Sequence, residues 1–398
     1  MASPRLRVAL FTDSFQELNG VGTLCREYAA YTQRCGFPLF CAYGGSETTF
    51  SRTGSLDELQ LRRGPLSFCV DSDLNCDPFL TRHRDLTVAK LREFRPDLVH
   101  ITGPGDVSVL GLWAANLVGV PMVASWHTNL HEYSYRRLQT RCSFLPETLR
   151  EAVSSGAEKG TLWAVTKWYK LAHFLAAPNQ EMVDYLAQAT GRPVYLMAHG
   201  VNTKLFAPER RNRKDPRFCI GYVGRLTPEK NVRALADLER NLLATGERDF
   251  RIVLVGEGSE REWLRANLRT AELTGVLRDE ALATAFANMD AFVFPSATDT
   301  FGLVILEAMS SGVPVIVRPE TGVRAGVIDG QDGFLSRDFA ASVRYLMQCK
   351  TTRCRMGATA RRHACSRSWS GVFDDLHRIY HDGLESEATR RRMPTPRF

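Results

Sequence analysis

"AFVFPSATDTFGLVILEAMSSGVPVIVR", residues 291–318, contains one complete strand–helix–strand unit. AFVFPS (291–296) is short, apolar and closed by a proline and a serine, and reads as a buried strand. VPVIVR (313–318) is a second such strand. The stretch between them, FGLVILEAMSSG, is helical and stops at Gly312, with Pro314 beyond it. Strands joined through a helix run parallel. Parallel sheets bury both faces, so the unit predicts an α/β, doubly wound layer.

Working outward, CIGYVG (219–224) and RIVLVG (251–256) are strands of the same kind, each followed by a helical stretch. Thr227 and Pro228 mark a helix start, predicting a helix with Val232, Leu235, Ala236, Leu242 and Leu243 on one face. The N-terminal half repeats the plan with RVALFTD (7–13), LVHITG (98–103) and PMVASWH (121–127). LFAPERRNRKDPRF (205–218), with two prolines and five basic residues, reads as the linker. The expected organisation is an N-terminal Rossmann-like domain over 1–204, a linker at 205–217 and a second Rossmann-like domain over 218–367. A helix at 368–387 and a basic, disordered tail at 388–398 complete it.

The chain's 398 residues suit two cores of about 180 residues better than one. A content of 44% hydrophobic and 24% charged residues places it with globular proteins. No run approaches the roughly 18 apolar residues of a membrane span, and MASPRLRVALFTDSF is not a secretory signal. The ten cysteines lack a CxxC pair or a metal-ligand rhythm, and read as reduced thiols of a cytoplasmic protein. A net charge of +7 fits a phosphorylated ligand or an anionic surface; no nucleic-acid module accompanies it.

Open α/β sheets bind ligands at the carboxyl ends of their strands. Asp299 and Glu307 flank the helix start at Phe301, Gly302 and Leu303, whose amides favour a phosphate oxygen. Ionised carboxylates on the order of 10 Å apart suit hydroxyl groups on either side of that phosphate. A solvated Asp and a surface Glu would be the plainer reading. Glu307, however, lies inside LVILEAM, where an unpaired charge is costly. In GYVGRLTPEKN (221–231), Arg225 and Lys230 place two cations at a strand–turn–helix junction, able to neutralise a diphosphate without a metal. Solvated basic side chains are the equal alternative at that spacing taken alone.

Asn19-Gly20-Val21-Gly22 fails as a dinucleotide fingerprint, because Cys25 stands where Gly or Ala belongs. It reads as a loop whose backbone at Gly20 approaches a ligand. His127, at a strand end, suits hydrogen bonding to a sugar hydroxyl or phosphate; a third metal ligand to join it and His131 is missing.

At these residues the sequence resembles glycosyltransferase family 4, retaining enzymes of the two-domain GT-B fold. Its branch with α-mannosyltransferases and sulfoquinovosyl- and glucosyl-diacylglycerol synthases is the most similar. The resemblance rests on TDTFGLVILEAMSSGVPVI, VGRLTPEKN and HGVNTKLFAP, and runs from RVALFTDSF to about Tyr380. It implies a hexosyltransferase that uses GDP-mannose or a UDP-hexose, with no metal or other cofactor. Asp299 would hold the transferred sugar, Glu307 the ribose, and Arg225 and Lys230 the diphosphate, with Gly20 and the amides of Phe301, Gly302 and Leu303. His127 would contact the sugar, and Gly256 and TGVLRDE (274–280) would lie beside the base. SWSGVFDDLHRIYHDGL (368–384) resembles the last helix of the family, which crosses back to the first domain. Asp299 stands where the family more often has Glu, Asn202 where it has Asp, and His199 where Asn is frequent; these departures bear on donor identity.

The implied acceptor is a lipid or a saccharide. HEYSYRRLQTRCSFLPETLREAV (131–153) and KGTLWAVTKWYKLAHFLA (159–176) mix aromatics with basic residues, which suits peripheral contact with an anionic membrane at its inner face. A core helix with a basic outer face is the plainer reading of the second stretch. A non-catalytic nucleotide-sugar binder and a sugar-nucleotide epimerase are the alternatives to transfer.

Overall fold

The computed structural model describes residues 5–392 apart from 18, 72–73, 143, 297, 321 and 323–325. The end of the basic tail, 393–398, lies outside the described residues. The chain forms two compact units: Met1–Thr128 with Lys159–Ala198 and Trp369–Phe398, and Asn129–Glu158 with His199–Ser368.

In the first unit the described residues build an eight-stranded sheet. Its order is Val194–Leu196, Phe174–Ala177, Met122–Ser125, Leu98–Ile101, Val8–Thr12, Leu39–Gly45, Leu56–Arg62 and Thr49–Thr53. Every pairing is parallel except the last, a hairpin that places the polar strand TFSRT at the edge. A charged, exposed edge discourages further strand addition. Val8–Thr12 is buried along its whole length, which is why it reads as an unbroken apolar run and not as an alternation. Strand order reverses between Val8–Thr12 and Leu98–Ile101. At that reversal Asp13 accepts from the amides of Gly105 and Val107 and from Ser108 Oγ, and so caps the helix Asp106–Val118. The last helix, Trp369–Arg392, packs on the helix Gly20–Cys35: Phe373 meets Tyr28 at 5.1 Å, and Tyr31 Oη donates to Asp374 Oδ1 at 2.5 Å. Residues 388–392 are therefore helical where a disordered tail was expected, since they extend a helix already anchored by packing.

The second unit has a six-stranded, wholly parallel sheet among the described residues. Its order is Ala271–Gly275, Phe250–Val255, Phe218–Val223, Ala291–Phe294, Val315–Val317 and Gly333–Leu335. The first strand in sequence is central, and the chain then builds outward in both directions. The switch point thus falls between Phe218–Val223 and Ala291–Phe294. The expected linker is folded into this unit. Phe206 is buried, and Arg211 and Arg213 grip Asp290 at 2.7 and 2.6 Å. Arg361 collects the carbonyls of Thr203, Phe206 and Ser310, tying this segment to the end of the helix Leu303–Ser310. The helix Leu130–Arg141 also belongs to this unit, although its sequence lies within the first half.

Candidate functional site

The two strands that flank the switch point of the second unit end in the two motifs singled out by sequence. After Phe218–Val223 come Gly224 and Arg225; after Ala291–Phe294 come Thr298, Asp299 and the helix Leu303–Ser310. Lys230 lies in a short 3₁₀ turn, Pro228–Lys230, and not in the first turn of an α-helix. Asn231, at φ 52°, reverses the chain, and the helix proper begins at Ala234. This corrects the expected helix start at Thr227, whose side chain makes no capping bond. Asn adopts the left-handed region more readily than most residues, so a Thr-Pro start is cut short after one turn.

The turn buries Lys230 and carries its Nζ to 2.6 Å from Asp299 Oδ1. Burial, the largest single influence, pulls the ammonium down, but the charge of Asp299, that of Tyr133 and the hydrogen bond to Asp299 together outweigh it and hold Lys230 above its ordinary value. Asp299 Oδ2 is buried and has no hydrogen-bond partner among the described residues. One oxygen is committed to Lys230, and the other presents acceptor capacity to a hydroxyl donor. Arg225 stands 3.6 Å from Glu229. Glu307 is half-buried in the helix Leu303–Ser310, and loss of solvation raises its carboxyl to about 7.

Gly302 precedes that helix at φ 70°, a left-handed conformation that a side chain would strain. Phe301 lies before the helix, and its ring stacks on His199 at 4.4 Å. His199, noted in the sequence only as a departure from the family pattern, thus joins the same cluster. Gly256 ends the neighbouring strand at φ 138°, where an added Cβ would come within 2.0 Å of the Gly224 carbonyl. The ends of two adjacent strands can approach this closely only without side chains. Thr274 and Gly275 end the next strand, and Thr274 Oγ1 donates to the Leu254 carbonyl.

Two residues that no motif marked belong to this neighbourhood. Tyr133 feels the charges of Lys230, Asp299, Arg225 and Glu229. Burial pushes the Glu132 carboxyl up to about 7, and Asp299 adds to the effect while Asn129 and Arg136 oppose it. Both sit on the helix Leu130–Arg141, and sequence alone gave only an aromatic-basic stretch there.

Gly20 and His127 belong to the first unit. Gly20 is the first residue of the helix Gly20–Cys35, and Asn19 caps it by accepting from Gly22 N. The expected loop is therefore a helix start, because Asn19 supplies the cap that the glycines seemed to deny. His127 follows Met122–Ser125 and is buried, with Nε2 2.7 Å from Ser125 Oγ. The same hydroxyl lies 2.7 Å from His100 Nε2, and His100 Nδ1 lies 2.7 Å from Tyr380 Oη on the last helix. Burial lowers His127 to about 4 and His100 to about 3, so both rings are neutral near pH 7.

In the stretch 159–176, Val165, Thr166 and Tyr169 face the core, while Trp163, Lys167 and Lys170 are exposed. That is a core helix with a basic outer side. Among the described residues, no helix is long and apolar enough to cross a membrane.

Comparison with known proteins gives this geometry its context. Residues 18–205 match the model described as Glycosyltransferase Family 4, and residues 217–349 that described as Glycosyl transferases group 1. A GDP-mannose-dependent alpha-mannosyltransferase of Mycolicibacterium smegmatis is 34% identical over 309 residues, covering 74% of this chain and 75% of its own. The sulfoquinovosyl transferase SQD2 of Arabidopsis thaliana is 28% identical over 71% of this chain and 56% of its own. Among solved structures, sucrose-phosphate synthase of Thermosynechococcus elongatus superposes with a TM-score of 0.73 at 17% identity, covering 96% of this chain and 100% of that one. HepE of Anabaena, solved with UDP and glucose, gives 0.67 at 16% identity over 94% and 99%. These structures establish the GT-B architecture of two Rossmann-like sheets. The sequence relationship goes further: across about three-quarters of each chain it reaches a level that, with the family match, makes this protein an enzyme, a member of glycosyltransferase family 4.

Proposed function

We propose that the protein transfers a hexose from a nucleotide diphosphate to a hydroxyl of a lipid or saccharide acceptor, with retention at the anomeric carbon. Mannose from GDP-mannose is the favoured donor, ahead of a UDP-hexose. The buried Lys230–Asp299 contact at 2.6 Å, set at the switch point, carries this reading. One of its members is a cation suited to a diphosphate, and the other an acceptor suited to sugar hydroxyls. The 34% identity to a GDP-mannose-dependent enzyme supports the donor preference.

In this mechanism Lys230 and Arg225 neutralise charge that develops on the departing diphosphate, a contribution worth about 10²-fold or more per group. The amides at the start of Leu303–Ser310, beside Phe301 and Gly302, and that of Gly20 add oriented dipoles. Glu307 accepts from the ribose, and Gly256 admits the nucleotide to the strand end. The bond from the anomeric carbon to the diphosphate breaks as the acceptor oxygen attacks the same face, and its proton passes to the leaving phosphate oxygen. His127 orients the sugar. Because Lys230 and Arg225 supply the positive charge, no metal ion takes part, and activity persists in EDTA.

A thermal-shift panel of nucleotides and nucleotide sugars tests the assignment. GDP and GDP-mannose are expected to raise the melting temperature of the wild type and much less that of Lys230→Ala. No shift with any nucleoside diphosphate would sink it. Contact with an anionic membrane, through exposed Trp163 and its basic neighbours, is the corresponding proposal for a lipid acceptor. Failure of the protein to float with anionic liposomes at low salt would remove it.

A further inference from the structure

The helix Leu130–Arg141 places Tyr133, Arg136, Arg137 and Arg141 around a cavity of about 180 Å³, closed on its other side by Pro228 and Glu229. All six residues belong to the second unit. Positions 133, 136, 137 and 141 lie three to four residues apart, so they share one helix face. Like charges at Arg137 and Arg141, four positions apart, weaken an isolated helix. The opposite flank holds the helix down, with Tyr135 Oη and Gln139 Nε2 donating to Glu151. The lining carries three guanidinium groups and one carboxylate, a net +2. The carboxylate, Glu229, lies 3.6 Å from Arg225, which is not part of the lining.

We propose that this cavity binds an oxyanion carried by the acceptor, a phosphate or carboxylate on a sugar or polyol. The proposal rests on the functional reading above and narrows its acceptor class. The volume holds on the order of six water-sized groups, enough for a phosphate and part of the ring that bears it. Guanidinium groups match phosphate and carboxylate in a two-bond geometry that ammonium groups lack. The ring of Tyr133 and the ring of Pro228 supply flat apolar walls for a sugar face. Position is the second argument. Glu229 of the lining lies 3.6 Å from Arg225 and shares the turn Pro228–Lys230 with Lys230, so the cavity opens beside the residues assigned to the diphosphate. An acceptor anchored there by its anion has its hydroxyls next to the reacting carbon.

The test uses the full chain saturated with the nucleoside diphosphate that binds it best, so that the diphosphate position is filled. Inorganic phosphate is then titrated calorimetrically in a phosphate-free buffer. The wild type is expected to bind phosphate saturably, and R137A/R141A at least about tenfold more weakly, with unchanged affinity for the nucleotide. The milder R137Q/R141Q serves as a second variant. Vesicles of phosphatidylglycerol, compared with phosphatidylcholine, distinguish the sources. Retention on the former that these variants lose assigns the oxyanion to a lipid headgroup, and phosphate binding alone assigns it to a soluble acceptor. Absence of phosphate binding in the nucleotide-saturated wild type, or binding indifferent to both variants, overturns the proposal. Failure of every nucleoside diphosphate to bind would instead overturn the functional reading, and this inference with it.

Discussion

Lys230 Nζ donates to Asp299 Oδ1 across a sequence separation of 69. Neighbouring strands of one sheet, Phe218–Val223 and Ala291–Phe294, bring the pair together. Removing one member of a buried ion pair leaves the other uncompensated, at a cost of about 3–5 kcal/mol. Lys230→Ala should therefore lower both the melting temperature and turnover, the latter by about 10²-fold. Lys230→Ala with Asp299→Asn should recover much of the stability and none of the turnover. Recovery of turnover by the double variant, measured by steady-state kinetics, would show that the lysine acts only through folding.

Glu307 gives a pH signature. Its folded-state carboxyl titrates near 7, above the ordinary value of 4.5, so the folded protein binds the extra proton. The associated stability is fully present below the ordinary value and is lost as pH rises through about 7. Ribose hydroxyls donate to the ionised form, so GDP affinity should rise over the same interval. Glu307→Gln should flatten both trends, in thermal unfolding and in GDP titrations between pH 5 and 8.

The chain from His127 through Ser125 and His100 to Tyr380 couples the ring at the strand end to the last helix. Each neutral imidazole has one donor and one acceptor nitrogen, so the direction of every bond in the chain is set jointly. Tyr380→Phe is expected to change the ¹⁵N imidazole shifts of His127 and to reduce kcat about tenfold at unchanged nucleotide KM. Unaltered His127 shifts would reduce Tyr380 to a packing role. Because both histidines are held below their ordinary value, the stability they contribute is complete above about 6.5 and falls away as pH drops through about 4 for His127 and about 3 for His100.

Gly256→Ala tests the backbone at the strand end. The added methyl would sit 2.0 Å from the Gly224 carbonyl at a φ of 138°. A loss of about 3 kcal/mol or more in chemical denaturation is expected, above the usual cost of strained backbone alone. A neutral result would mean that the two strand ends separate freely.

The sheets were legible in the sequence because parallel strands buried on both faces appear as continuous apolar runs, as in AFVFPS and RIVLVG. Asp299 and Glu307 were legible because one is next to a helix start and the other inside an apolar helix. Strand order was not legible, and strand order alone makes Lys230 a neighbour of Asp299. The 3₁₀ turn at Pro228–Lys230 was hidden because Thr-Pro is a strong local start signal, whereas the left-handed Asn231 that ends it is a weaker one. The place of Leu130–Arg141 in the second unit depends on long-range packing against Pro228 and Glu229, for which no local pattern exists.

The helix Trp369–Arg392 completes a unit whose central strand, Val8–Thr12, is near the beginning of the chain. Translation therefore delivers the partners of Tyr28 and His100 last, after the other Rossmann-like sheet has been made in full. Until then the nascent first unit exposes an unfinished apolar flank on the ribosome. A nonsense change shortly before Trp369 would leave it in that state permanently, a substrate for chaperones and proteases instead of a shortened enzyme.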